Sequence, residues 1–79
     1  MEQHEGATQA VADRVTDQIK TSGVTVVWLC EDTGIPRATM VRRLKGLSSF
    51  NVNELERIAK SLRVDTADLL TPITARVSA

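Results

Sequence analysis

The residues of this sequence best suited to bind a partner are four cationic side chains within one short segment. Residues 33–53 contain no aspartate or glutamate, and they hold Arg37, Arg42, Arg43 and Lys45. Residues 1–32 carry six acids against two cations, and the chain as a whole has no net charge. Arginine and lysine bind phosphates, and an arginine can also donate two hydrogen bonds to one guanine. The segment therefore indicates an anionic partner such as nucleic acid.

Metal binding and catalysis are not supported by any residue pattern. The chain has one cysteine, Cys30, and one histidine, His4. Structural zinc requires four ligands, and catalytic zinc requires three protein ligands beside an open position. The sequence also contains no carboxylate cluster, catalytic triad or phosphate-binding loop. We therefore expect no metal, no cofactor and no enzyme activity.

Five helices and no strand are predicted around the basic segment, which makes the expected fold class all-α. The first helix covers about residues 7–21, because Val11, Val15 and Ile19 recur on one face. Gly23 is suited to end it.

Two short helices flank a predicted glycine turn in the middle of the chain. Thr25 is suited to cap a helix that extends to about Thr33, although the β-branched run 24–29 could instead form a strand. Gly34 permits a turn with positive φ. Pro36 fits the first position of the next helix.

The helix at 36–45 carries all four cations. Met40 and Leu44 are spaced as its buried i, i+4 pair, and Gly46 is expected to end it. The two short helices and the turn between them thus form a unit that can hold a basic helix on the surface.

The last two helices are predicted from their caps. Asn51 and Glu54 form a capping-box pattern, and the helix that follows has an apolar stripe of Val52, Leu55, Ile58, Ala59 and Leu62. Asp65 is expected to cap a short final turn that ends at Leu70.

One small domain is expected at 7–71, with flexible ends at 1–6 and 72–79. Apolar residues make up 42% of the chain, which is enough for a core. No apolar run is long enough to span a membrane, and the start of the chain lacks a secretion signal. We therefore expect a cytoplasmic protein.

This arrangement resembles the helix-turn-helix family of lambda-repressor and Cro-like (XRE-type) regulators over about residues 10–71. The resemblance is carried by Leu29-Cys30, Thr33-Gly34-Ile35, Thr39-Met40 and Gly46, and by Leu55, Ile58-Ala59, Leu62, Val64 and Leu69-Leu70. It implies a compact five-helix, lambda-repressor-like domain that binds DNA, usually as a dimer. Three positions depart from the family pattern: Val26 replaces a polar residue, Cys30 an alanine and Arg43 an apolar residue.

By this resemblance, the helix at 36–45 reads the major groove. The candidate DNA-binding residues are Pro36, Arg37, Ala38, Thr39, Val41, Arg42, Arg43 and Lys45. Arg37 and Arg42 are the candidates for contacts with guanine, and the apolar members can contact thymine methyl groups. Arg43 and Lys45 are expected to meet phosphates, which position a protein without reading sequence.

The sequence thus predicts a sequence-specific transcriptional regulator, in particular a phage or prophage repressor or Cro-like protein. The expected partner is double-stranded DNA, because only Trp28 and Phe50 could stack on single-stranded bases. We expect a homodimer on DNA that can be monomeric when free, with no membrane and no small-molecule effector. Trp28 is a candidate for either the core edge or a dimer contact. The alternative function is a protein-interaction module such as an antitoxin-type helical domain.

Overall fold

A computed structural model describes residues 2–70 of the chain, with side chains from Gly6 onward. These residues form five α-helices and no strand. In chain order the helices are α1 (Glu2–Ser22), α2 (Val26–Thr33), α3 (Arg37–Leu44), α4 (Val52–Leu62) and α5 (Thr66–Leu69). The prediction of an all-α, five-helix domain is confirmed. The alternative of a strand at 24–29 is wrong, because α2 begins at Val26.

Helix α1 begins at Glu2, ahead of the predicted start at Ala7. The apolar periodicity that begins at Val11 marks where the helix packs, and it does not mark where the helix starts. The flexibility expected of residues 1–6 stays a prediction, and the tail expected at 72–79 lies outside the described residues.

The core lies where α1 meets α3, α4 and α5, and where α2 meets α3 and α4. Its buried members come from every helix and from the turn after α2: Val15, Ile19, Leu29, Cys30, Ile35, Met40, Leu55, Ile58, Ala59, Leu62 and Leu69. Most of them occupy the spacings from which the helices were predicted. The apolar pattern therefore identified the inward faces correctly at most positions.

Two predicted core positions differ from the structure. Val52 is 69% exposed, so its side chain is not covered by another helix even though its spacing continues the apolar stripe of α4. Met40 is fully buried, whereas its predicted partner Leu44 is half-buried against the edge of the core. Whether a side chain is buried therefore depends on its position along the helix as well as on the helix face that it occupies.

The helix ends follow local side-chain chemistry. The Thr25 hydroxyl accepts a hydrogen bond from the Trp28 N–H, which caps α2 as predicted. Asn51 and Glu54 form the predicted capping box at the start of α4. Gly23 has a φ of +76° and closes α1. Each of these features satisfies backbone groups that a helix end leaves without partners.

Polar contacts also connect the helices. Arg14 of α1 donates from Nε to the Asp68 carbonyl of α5 at 2.6 Å. Ser61 of α4 donates to the Asp32 carboxylate of α2. No helix among the described residues combines the length and apolarity that crossing a bilayer requires.

Candidate nucleic-acid interface

The turn between α2 and α3 is closed by backbone and side-chain hydrogen bonds. Gly34 adopts the left-handed conformation at φ +79°, and its N–H donates to the Cys30 carbonyl at 2.9 Å. The buried Thr33 hydroxyl donates to the Leu29 carbonyl at 2.7 Å and accepts from the Ile35 N–H at 3.3 Å. Ile35 is itself buried. The turn therefore fixes the angle at which α3 leaves α2.

Helix α3 presents one exposed face. This exposed face of α3 consists of Arg37, Ala38, Val41, Arg42 and Lys45. Successive residues of a helix are rotated by about 100°, so Arg42 projects about 160° away from the buried Met40. Three cations thus share a surface with two small apolar side chains. Such a surface can bind phosphates and the edges of base pairs.

Pro36 lies immediately before α3 as its N-cap residue, and Lys45 follows the helix as its C-cap residue, so the helix is one residue shorter at each end than the predicted 36–45. The φ of −57° at Pro36 suits a helix entrance, and the Pro36 carbonyl accepts from the Met40 N–H at 2.9 Å. Pro36 is exposed, so it adjoins the exposed face.

The end of α3 is a Schellman motif. The Gly46 N–H donates to the Arg43 carbonyl and the Leu47 N–H donates to the Arg42 carbonyl, both at 3.0 Å. Gly46 has a φ of +77°, which residues with a Cβ adopt only at a cost. Lys45 is therefore held at the last position before the chain turns away.

Two candidate residues lie apart from the exposed face. Thr39 is half-buried. Arg43 is also half-buried, and its guanidinium donates to both carboxylate oxygens of Glu54, from Nε at 2.8 Å and from Nη2 at 3.1 Å. Its Nη1 donates to the Ser48 hydroxyl at 2.7 Å. The structure thus brings five of the eight candidates together and places Pro36 beside them. Thr39 is half-buried, and Arg43 is hydrogen-bonded to Glu54 and Ser48.

The Glu54 carboxylate has several partners. Burial alone would raise its pKa, but hydrogen bonds from Arg43 and from the Asn51 N–H, with the charges of Arg43 and Arg57, hold the pKa below its ordinary value. The carboxylate therefore remains charged at neutral pH and matches the charge of Arg43.

Sequence reasoning did not identify the roles of Glu54 and Ser48 toward Arg43. Glu54 was predicted only as a capping residue, although it is the first acid after the basic segment and stands eleven residues beyond Arg43. The helical wheel did not provide a sufficient signal, because Arg43 and the exposed Arg37 both lie about 60° from Met40. Thr33, whose hydroxyl closes the turn, was recognised only as part of the family pattern.

Two further side chains on α2, those of Trp28 and Cys30, differ in burial. Trp28 is 41% exposed, so its indole is not part of the buried core. Cys30 is buried, and burial raises the pKa of its thiol despite the opposing charge of Arg37. A protonated, buried thiol is a small apolar group at the contact between helices.

Metal chemistry finds no support in the described part of the chain, where no three histidine, cysteine, aspartate or glutamate side chains are grouped to hold an ion. The expected absence of cofactor and of enzyme activity stays a prediction.

Comparison with known protein families identifies a match to this chain. A family model described as the Cro/C1-type HTH DNA-binding domain matches residues 14–75. That range includes α2, the turn and α3, together with the end of α1 from Arg14 onward and all of α4 and α5. No curated protein and no solved structure matches the chain.

Proposed function

Because this chain belongs to the Cro/C1-type HTH DNA-binding domain family, we propose that it is a sequence-specific transcriptional regulator that reads the major groove with α3. The observation that carries this proposal is the exposed face of α3, on which Arg37, Arg42 and Lys45 stand without an adjacent acid on the helix. A basic helix that only faced solvent would not need a fixed orientation. In this chain the closed turn between α2 and α3 and the buried Met40 fix the orientation of α3, and so fix the positions of its cations.

The three cations have different proposed roles. Arg37 is in the first turn of α3, where a side chain reaches deepest into the groove, and it contacts guanine O6 and N7. Arg42 is the second candidate for base contact. Lys45, at the helix end, binds phosphate. Ala38 and Val41 lie between the cations and suit contact with thymine methyl groups.

The protein is proposed to act as a homodimer on a two-fold symmetric operator, in the manner of a phage repressor or Cro-like protein. One helix with two base-reading arginines supplies about 1–3 kcal/mol of discrimination for each good bidentate pair. Two copies would place their half-sites about 34 Å apart along the duplex. Footprinting should therefore show two protected half-sites related by symmetry, and a single unsymmetrical half-site at 1:1 stoichiometry would contradict the dimer.

The test of the DNA-reading proposal compares Arg37→Ala with Lys45→Ala in fluorescence-polarisation titrations. The probes are duplexes from the DNA upstream of the protein's own gene and a scrambled duplex of equal composition. Arg37→Ala should weaken binding to the specific duplex by about 1–3 kcal/mol and should affect the scrambled duplex less. Lys45→Ala should weaken both to a similar degree and should reduce the slope of log K against log salt by about 1.

Lys60→Ala is the matched control, because it removes an exposed cation from α4 rather than from α3. It should leave the binding to both duplexes unchanged. Equal loss on both duplexes for Arg37→Ala would show that the proposed docking of α3 is wrong. If neither α3 variant affected binding, the exposed face would be a solvated surface and the protein-interaction alternative would take its place.

A further inference from the structure

Arg43 differs from the other cations of α3 in what its guanidinium binds. Three of its nitrogen atoms donate hydrogen bonds, two to the Glu54 carboxylate and one to the Ser48 hydroxyl, at distances of 2.7–3.1 Å. The paired, planar geometry toward Glu54 is the strong form of an arginine–carboxylate contact. Arg43 thus connects α3 both to α4 and to the segment between them.

Glu54 links this contact to the start of α4. Its Oε1 atom, which accepts from Arg43, also accepts from the Asn51 N–H at 3.0 Å. In return the Asn51 side chain accepts from the Glu54 N–H at 2.8 Å. The capping box and the arginine pair therefore share one carboxylate. We call Arg43, Ser48, Asn51 and Glu54 the α3–α4 junction.

The junction is shielded from water more than a surface ion pair is. The Arg43 and Glu54 side chains are 22% and 12% exposed. A pair of this kind holds its geometry better than two exposed long side chains do, and removing one partner leaves the other charge partly buried. The charge of Arg43 is also matched by Glu54, whereas the cations on the exposed face have no such partner on α3.

We infer that Arg43 is a positioning residue, which holds α3 against the start of α4 and so sets the orientation of the exposed face, and that it does not contact DNA. The inference rests on the proposed function. Its physical basis is that α3 contains only eight residues and is fixed at its start by the turn. The junction supplies the second attachment, near its end.

The inference is tested with two probes: a duplex selected from a random library by the wild-type protein, and a scrambled duplex. Arg43→Met should lower the preference for the selected duplex by about 5- to 100-fold, comparable to losing one base contact. The slope of log K against log salt on the scrambled duplex should stay at the wild-type value. Lys45→Ala, the control that removes a proposed phosphate contact, should reduce that slope by about 1.

Two conservative variants separate positioning from direct contact. Arg43→Lys keeps the charge but loses the paired hydrogen bonds, so it should lose preference much as Arg43→Met does, whereas a phosphate contact would survive in lysine. Glu54→Gln keeps a capping side chain but removes the charge that holds Arg43. It should also lower the preference, whereas a DNA-binding Arg43 would be released by this change and would bind DNA more tightly.

Circular dichroism at the assay temperature establishes whether each variant is folded. If Arg43→Met does not fold, the inference is tested with Arg43→Lys and Glu54→Gln alone. A reduced salt slope in Arg43→Met, or an unchanged preference in the folded variants, would overturn this inference without contradicting the proposed function. Failure of the wild-type protein to bind any duplex would contradict the proposed function, and the inference would fall with it.

Discussion

Arg42 and Arg43 are neighbours in sequence, yet they belong to two regions with opposite character. Arg42 lies on the exposed face of α3, about 160° around the helix from Met40. Arg43 lies in the α3–α4 junction, where Glu54 and Ser48 engage it. A rotation of about 100° between successive residues separates a cation available to a partner from one that holds the helix in place. A count of cations in the segment therefore overstates the charge available for binding.

Both regions depend on the core beneath α3, and Met40→Ala should disturb them together. Met40 is fully buried, and truncating such a side chain costs about 2–5 kcal/mol. Urea unfolding would measure this as a reduced free energy of unfolding. Val41→Ala, on the exposed face, is the control and should change stability by no more than about 0.5 kcal/mol. Equal losses in the two variants would show that Met40 does not support α3 as described.

Gly46 separates the exposed face from the junction, and Gly46→Ala should have the next largest effect. An alanine at φ +77° is strained by about 1–2 kcal/mol. The added Cβ would also meet the end of the flexible, exposed Gln9 side chain on α1, which can move away at little cost. Gly23→Ala is the matched control, because its φ is +76° and nothing lies within 4 Å of an added Cβ. Thermal unfolding should show similar losses for Gly46→Ala and Gly23→Ala, because the left-handed backbone conformation is the cause common to both; a much greater loss for Gly46→Ala would show that Gln9 cannot move away.

The junction should make stability depend on pH in the acid range. The folded-state pKa of Glu54 is below its ordinary value, because Arg43 and the Asn51 N–H donate hydrogen bonds to its carboxylate and the charges of Arg43 and Arg57 favour the ionised form. The contribution of Glu54 to stability is therefore complete above the ordinary pKa of 4.5 and is lost as pH falls through the folded-state value.

This dependence can be measured by comparing wild-type protein with Glu54→Gln. Wild-type protein should be more stable by about 1 kcal/mol at pH 7, and the difference should shrink below about pH 4. A difference that stays constant from pH 7 to pH 3 would show that the charge of Glu54 contributes nothing.

The smallest effect is expected at the far end of α4. Arg63 closes that helix at φ +60°, in the left-handed region that glycine adopts more readily. Arg63→Gly should therefore stabilise the fold by up to about 1 kcal/mol, measured by thermal unfolding. Although it removes a cation, it should leave the salt dependence of DNA binding unchanged, because Arg63 lies outside the exposed face. A reduced salt slope would mean that total charge, rather than the exposed face, determines binding.

Features that depend on nearby residues were predictable from the sequence. The cap at Thr25, the capping box of Asn51 and Glu54, and the glycines that end α1 and α3 were all identified. Each depends on backbone groups within a few residues, so the local pattern contains the information. The same holds for most of the core, because helical spacing places the apolar residues on one face.

Features that depend on distant parts of the chain were less predictable. Val52 continues the apolar stripe of α4 in sequence, but whether another helix covers it depends on how the helices are placed, and none does. The start of α1 was also misplaced, since packing periodicity begins after the helix itself does.

Arg37 and Arg43 show where sequence alone stops being sufficient. On the helical wheel each lies about 60° from Met40, on opposite sides, so the pattern of α3 treats them alike. The sequence by itself determined that α3 is a short basic helix with Met40 inward, because spacing, proline and glycine act locally. Only the tertiary structure decided that Arg37 is exposed and that Arg43 is paired. The physical reason is that α4 brings Glu54 to one side of α3, and this approach depends on the packing of the whole domain.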